Sequence, residues 1–276
     1  MTPTATSTPA SPSLTARYAA PPTVPADVLT EVIAQQLRHH SVRRFASTDV
    51  GEHEMTAIIA AAQSASTSSN MQSWSVIEIR DPQRKHDAAT LSGDQDFIRQ
   101  APVFLVFVAD LARNRAVAER AGGTTTATEY MESTLIGFVD AALAAQNAAL
   151  AAESLGLGIT FVGSARNNPH ELAELLELPH GVFPVAGMAI GHPHADEAAG
   201  VKPRLPQAVV RHRETYRPST GDDIAAYDAT VAEYHSSQGR PSDWADKIRV
   251  LVRDAGSLRG RETIRDDLAR RGFPSR

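Results

Sequence analysis

The stretch His39-His40-Ser41-Val42-Arg43-Arg44-Phe45 packs cations, imidazoles and a hydroxyl into one turn between two helical segments. Such a set suits a phosphate monoester, which carries nearly two negative charges near neutral pH. Arginine grips phosphate through two parallel hydrogen bonds, and a serine hydroxyl adds another. A single turn of this kind is usually only a solvated basic surface. A second cationic segment, Lys202-Pro203-Arg204-Leu205-Pro206, lies far along the chain. There two cations flank one proline, and the prolines stiffen the loop and lower the entropy lost on ordering it.

Upstream of the first turn, Val28, Leu29, Val32, Ile33 and Gln36 recur at helical spacing and predict a helix over 26–37. Downstream, Met55, Ile58, Ile59 and Ala62 form one stripe of a helix over 52–64. A Ser/Thr run follows. Residues 74–79 predict a strand, and the continuous apolar run 103–109 a fully buried one. A long helix is expected over 126–155, stopped by Gly156 as a left-handed cap. A third strand is expected at 159–162. Asn168 and Pro169 have the form of an N-cap and first helical position, with Leu172, Leu175 and Leu176 inward and Pro179 as the stop. A fourth strand is expected at 185–190, and tail helices near 224–236, 244–252 and 261–271. No internal repeat is present. The pattern is α+β, with helices flanking a small sheet and no strict βαβ alternation.

Several chemistries are disfavoured. The chain has 276 residues and no cysteine, which removes disulfides, thiolate metal sites and a cysteine nucleophile. Ten histidines include His192-Pro193-His194, but no His-Glu-x-x-His or comparable ligand set, so no metal is expected. There is no Gly-x-Ser-x-Gly elbow. Gly156-Leu157-Gly158 closes a helix instead of opening one, and Phe161 stands at the third glycine position, so a Rossmann loop is rejected.

The net charge of −5 argues against general nucleic-acid binding. Ten Lys/Arg against six Asp/Glu from Arg240 to Arg276 make that tail +4, leaving −9 on the remainder. A basic tail on an acidic body can meet a phosphorylated ligand, or simply be a solvated face. The most apolar long segment, 135–152, is interrupted by Asp140, Gln146 and Asn147 and is read as a buried core helix, so no membrane association is expected. Residues 1–25 are rich in Thr, Pro, Ala and Ser with Arg17 as their one cation. They are expected to form a disordered arm without the features of a signal peptide, and the protein is expected in the cytoplasm.

The turn at 39–45 resembles the His-Arg-Ser-x-Arg-x-Phe signature of the oxygen-insensitive NADPH nitroreductases and NADPH–flavin oxidoreductases of the nitroreductase superfamily. Further matches follow in order: Ser66 to Ser69 with Gln72, then Gly93-Asp94-Gln95, then Ala145-Gln146-Asn147-Ala148, then Ala152-Glu153-Ser154-Leu155-Gly156-Leu157-Gly158. Gly163 with Arg166-Asn167-Asn168, Leu178-Pro179, Gly191 and the 202–206 segment complete them. The resemblance covers essentially residues 27–276.

What the resemblance implies is an α+β nitroreductase-like fold, a small mainly antiparallel sheet flanked by helices, in an intertwined homodimer. One FMN-binding domain over 26–276 with a C-terminal helical excursion is expected. FMN is expected at the dimer interface, its phosphate held by His39, His40, Ser41 and Arg43 together with Lys202 and Arg204. Ser66, Thr67, Ser68, Ser69, Gln72 and Gln95 are expected near the flavin or its ribityl chain. Phe161, Val162, Gly163 and Ser164 are expected along the ring edge. Gln238, Arg240 and Arg261 are expected to meet NADPH or substrate.

The implied activity is ping-pong two-electron reduction of nitroaromatics, quinones or related acceptors by NADPH, with NADH a possible donor. Because the flavin carries the chemistry, no side chain is assigned as general acid or base. An alternative is a flavin reductase supplying reduced FMN to a partner, and another is a flavin-binding sensor without turnover. Three positions depart from the family pattern. His40 replaces an arginine, which predicts weaker or pH-dependent phosphate binding, and Ser164 replaces a second glycine. In the tail, Gln238 falls where an arginine is common, with Arg240 close by.

Overall fold

A computed structural model describes residues 12–276. Among these residues the helices, in chain order, are α1 (Pro12–Arg17), α2 (Glu31–Arg38), α3 (Glu52–Gln63), α4 (Pro82–Leu91), α5 (Asp96–Gln100), α6 (Leu111–Arg120), α7 (Met131–Ser154), α8 (Pro169–Leu175), α9 (Gln207–Val210), α10 (Gly221–Ser237), α11 (Trp244–Leu251) and α12 (Ile264–Arg270). The strands are β1 (Trp74–Ile79), β2 (Val103–Asp110), β3 (Gly158–Val162) and β4 (Val182–Gly191). The chain divides into two compact units. One comprises the residues up to His40 together with Ala198–Ser257, and the other comprises Ser41–Glu197 with Leu258–Arg276.

The second unit is built on a four-stranded antiparallel sheet in the order β1-β2-β4-β3. Every residue of β2 is buried, because side chains that alternate across a strand meet a helical layer on both faces here. Val103, Leu105, Phe107 and Ala109 enter the core shared with α3 and α7, while Phe104, Val106 and Val108 enter a second core with Ala88 and Ala89 of α4, Ile98 of α5 and Leu172 of α8. An unbroken apolar run is therefore compatible with an antiparallel central strand as well as a parallel one.

The long central helix α7 buries mainly small residues, among them Gly137, Ala141, Ala144, Ala145, Ala148 and Ala152, against the sheet. It has the length and hydropathy of a membrane span, but its inner face is protein core. It ends as the sequence implies. Gly156 takes φ +80°, the Gly156 amide donates to Glu153 O and the Leu157 amide to Ala152 O, which satisfies two of the terminal carbonyls.

Some expectations are corrected. The helix expected over 26–37 is broken: a 3-10 turn covers Ala26–Val28 and α2 begins after Thr30, whose side chain accepts from the Ile33 amide. The long helix is likewise divided at Tyr130 from a 3-10 turn at Thr126–Glu129. Asn168 and Pro169 hold the expected N-cap and first helical positions of α8, but the Asn168 side chain makes no capping bond and its amide donates instead to Leu91 O at 2.7 Å. Of the arm expected to be disordered, residues 1–11 lie outside the described residues. The remainder is structured, because Leu14 is buried and Arg17 finds backbone partners. Residues 26–40 group with the excursion helices, and α12 groups with the sheet.

Candidate functional site

In the sheet unit the phosphate-type turn lies alongside β3. Ser41 forms a parallel bridge with Ile159, and the Val42 amide donates to Ile159 O at 2.9 Å. Phe45 bridges Pro193, the Ala46 amide donates to His192 O, and the His194 amide donates to Arg44 O. Residues 41–46 thus extend the sheet edge beyond β3 and the end of β4. The approach is close. A Cβ on Gly158 would lie 2.6–2.8 Å from the Val42 side chain, so this glycine serves packing. The backbone amides of Arg43 and Arg44 both donate to Glu197 Oε2, at 2.7 and 2.9 Å. The Arg43 side chain is exposed, whereas Arg44 pairs with Asp196 at 3.6 Å.

β3 leads from Ser41's partner into the predicted ring-edge residues. Phe161 is exposed in an otherwise buried strand. Gly163 is open: a Cβ there would meet nothing nearer than Arg166 at 3.8 Å. Ser164 donates its hydroxyl to Ser92 O at 2.6 Å. A Cβ on Gly93, at φ +82°, would fall 3.3–3.5 Å from Ser164, Asn167 and Gln95, so the predicted Gln95 lies in the same cluster as Ser164. Asn167 Oδ1 is buried there without a hydrogen-bond partner among the described residues, the kind of acceptor that a bound polar molecule satisfies.

The 66–72 loop is held from below. Asp140, 1% exposed on α7, accepts the Ser68 amide at 3.1 Å and the Ser73 amide at 3.0 Å. Between these anchors Ser69, Asn70 and Gln72 all adopt positive φ, at 47°, 56° and 50°. Asparagine tolerates this region, while serine and glutamine are strained in it. Arg113 donates to Gln72 O and to Trp74 O, and the Asn114 side chain to Met71 O. Ser66, Ser68, Ser69 and Gln72 are left exposed, while Thr67 is half-buried.

Arg261 belongs to the same unit. A Cβ on the preceding Gly260 would be 3.4 Å from Asn167 O, which places Arg261 beside the Ser164–Asn167 segment. Arg166 donates to Val185 O. Burial first, and the like charge of Arg261 second, push its pKa down.

In the other unit His39 is the C-cap of α2, and the His40 ring sits 3.1 Å from Arg38 O. Arg204 folds its guanidinium onto Lys202 O at 3.2 Å and Pro203 O at 3.3 Å. Two tyrosines of α10 support this loop: Tyr227 donates to Pro203 O and Tyr234 to Gly200 O. Gln238 caps α10, and its side chain would lie 3.6 Å from a Cβ on Gly200. Arg240 follows, its amide donating to His235 O. An open hollow of about 750 Å³ in this unit, lined by Arg211, His212, Tyr216 and Arg217 among others, includes none of the predicted site residues.

The Nitroreductase family matches residues 37–192, and its C-terminal domain matches residues 202–276. The chain belongs to the nitroreductase family. Within it, the FMN reductase [NAD(P)H] of Bacillus subtilis (strain 168) is 45% identical over 226 residues, covering 80% of this chain and 90% of the relative. An FMN reductase (NADPH) of the same organism is 35% identical over 254 residues, 89% of this chain and 99% of the relative. The solved structure of B. megaterium NfrA2 superposes with a TM-score of 0.84 at 37% identity, covering 88% of this chain and 98% of that one.

For this nitroreductase, sequence reasoning missed Asp140, Arg113 and Arg17. Their roles consist of contacts to backbone distant in the chain, for which sequence carries no periodic signal. Asp140 left one trace, a carboxylate in an apolar helix.

Proposed function

We propose that this chain is an FMN-dependent NAD(P)H oxidoreductase reducing small-molecule acceptors. The observation that carries the reading is the registration of Ser41–Val42 on Ile159, which lines the phosphate-type turn up with the exposed Phe161 and the open Gly163. The residues present fit FMN: an unsatisfied buried acceptor at Asn167, exposed hydroxyls and amides on the 66–72 loop, and cations in both expected turns. His39, His40, Ser41 and Arg43, with Lys202 and Arg204, would hold the phosphate. Ser66, Thr67, Ser68, Ser69, Gln72 and Gln95 would bind the polyol or ring. When bound, FMN supplies two-electron redox chemistry with a hydride donor.

The protein's own part is to bind and orient. Along Phe161, Val162, Gly163 and Ser164, Phe161 presents an exposed ring, Val162 is buried, and Gly163 leaves its backbone approachable beside Ser164. The clamp on the strained loop fixes its donors before ligand arrives, which lowers the ordering cost of binding. Arg261, with Gln238 and Arg240, would meet the nucleotide or the acceptor. NADPH is the expected donor.

A second copy of the chain is the proposed partner. Met131, Leu135, Val139 and Leu143 lie four residues apart along α7 and are 43–54% exposed, an apolar stripe on the face away from the core. Sedimentation of the purified protein is expected to give a dimer, and charge reversal at Leu135 with Val139 to give monomer. A soluble, cytoplasmic enzyme fits this reading.

The names of the relatives favour a second reading, in which free FMN is itself the substrate. Purified protein is expected to be yellow and to bleach on anaerobic addition of NADPH. Steady-state rates with free FMN and with a nitroaromatic separate the two readings. Colourless protein that takes up no added FMN rejects both.

A further inference from the structure

Arg17 is the one cation in the first 25 residues, and it is 5% exposed. A guanidinium removed from water needs acceptors for its fixed fork of donors. Nη2 donates to Leu37 O at 2.8 Å and to His39 O at 2.7 Å, and Nη1 donates to Lys202 O at 2.8 Å. The Arg204 amide returns a bond to Arg17 O at 2.9 Å. One residue is therefore bonded to the end of α2, whose last carbonyls have no partners within the helix, and to both ends of the Lys202–Arg204 turn.

The surroundings fix this residue in place. Leu14 is buried on the preceding turn of α1, and α1 packs on α2. Tyr18, next in the chain, lines a cleft of about 100 Å³ with Arg204 and Tyr227. Burial raises the pKa of Tyr227, with Arg204 opposing. A positive charge at the C-terminus of α2 also complements the helix dipole. The family match begins at residue 37, so this brace comes from chain outside it.

We propose that Arg17 is a positioning residue for the phosphate end of FMN, setting His39 and the Lys202–Arg204 turn at a fixed separation from one buried hub. The inference rests on the reading that these segments hold the phosphate. It predicts an effect on phosphate recognition specifically, since Arg17 bonds the end of α2 and the Lys202–Arg204 turn.

The test compares FMN with riboflavin, which lacks the phosphate, by flavin-fluorescence titration of full-length apoprotein. Wild type is expected to prefer FMN strongly. Arg17→Ala is expected to raise the FMN Kd at least tenfold while moving the riboflavin Kd less than twofold. Arg17→Lys is expected to fall between, because an ammonium keeps the charge but not the planar fork. If Arg17→Ala does not fold, Arg17→Lys alone still reports the ratio. Equal weakening of both ligands, or no change in either, overturns the brace. If Arg43→Ala collapses the preference and the Arg17 variants keep it, only the brace is wrong. A wild type without any preference for FMN overturns the site reading and the brace together.

Discussion

Replacing Asp140 by alanine removes the shared acceptor of the Ser68 and Ser73 amides. Hydrogen bonds to a charged group contribute about 1.5–3 kcal/mol each. The Ser73 amide is buried and pays the full penalty of an unmet donor, while the Ser68 amide is close enough to solvent to rehydrate. The loss is therefore at the lower end for the pair, about 3 kcal/mol by the same scale. Asp140→Asn keeps one acceptor oxygen and loses one bond, about 1.5–2 kcal/mol. At about 2–4 °C per kcal/mol for a chain of this size, Asp140→Ala lowers Tm by about 6–12 °C and Asp140→Asn by about half as much. The strained φ values of Ser69 and Gln72 give the loss a location, because an unclamped loop relaxes first. Hydrogen exchange is then expected to accelerate at 66–73 before the rest of the sheet unit, with FMN affinity falling in step. Thermal melts within 1 °C of wild type for both variants, or exchange that rises evenly across the unit, would refute the clamp.

Arg204→Ala should weaken FMN binding at least tenfold, about 1.4 kcal/mol, read by fluorescence titration; unchanged affinity marks the cation as peripheral. Gly158→Ala puts a methyl 2.6–2.8 Å from Val42 and should cost about 1–3 kcal/mol by overpacking, with a lower Tm and looser FMN as residues 41–42 are pushed off β3. Asp223 is held below its ordinary pKa of 3.8 by the Thr220 amide first, then the Thr220 hydroxyl, with Arg217 nearby. A depressed carboxylate stabilises the fold above its unfolded pKa, and that contribution is lost as pH falls through the lower folded value. The stability gap between wild type and Asp223→Asn should therefore be constant above about pH 4 and close below it, measured by denaturant unfolding across pH 2–5; a gap that widens on acidification contradicts the sign.

How much could be read in advance depended on whether the determining contact was periodic or solitary. α3 repeats its apolar residues at helical period, and β2 and α7 are long apolar runs whose lengths suit a strand and a helix, so their existence and type were legible. α4 and α6 were not. α4 buries only Lys85, Ala88 and Ala89, and α6 only Leu111, too little apolar surface to produce a stripe, although Asp81-Pro82 and Asp110 are caps that local chemistry offers. Thr30 is a similar signal, a cap residue inside an apparently continuous pattern. At the candidate site, the ordered motifs named positions that the structure leaves exposed on the 66–72 loop but not what holds them. Asn168 takes the N-cap position of α8 as expected, but its side chain bonds Leu91 O in place of the helix, and Arg17 sits in a stretch whose composition reads as a tail.

The central helix shows why one residue can be both a break in a pattern and the key to a site. A helix apolar around most of its circumference is buried around most of it. The inner face of α7 meets the sheet through small residues, and the outer face presents Met131, Leu135, Val139 and Leu143, which a second copy would cover. Between those two apolar faces a buried carboxylate is costly unless its oxygens are bonded, and Asp140 meets that demand with two loop amides. The polar interruption is therefore retained where the helix passes beneath the 66–72 loop. The hydropathy that gives α7 the profile of a membrane span combines a core-facing side of small residues with an exposed apolar stripe proposed to meet a second copy, and Asp140 in its middle marks where the 66–72 loop is fastened.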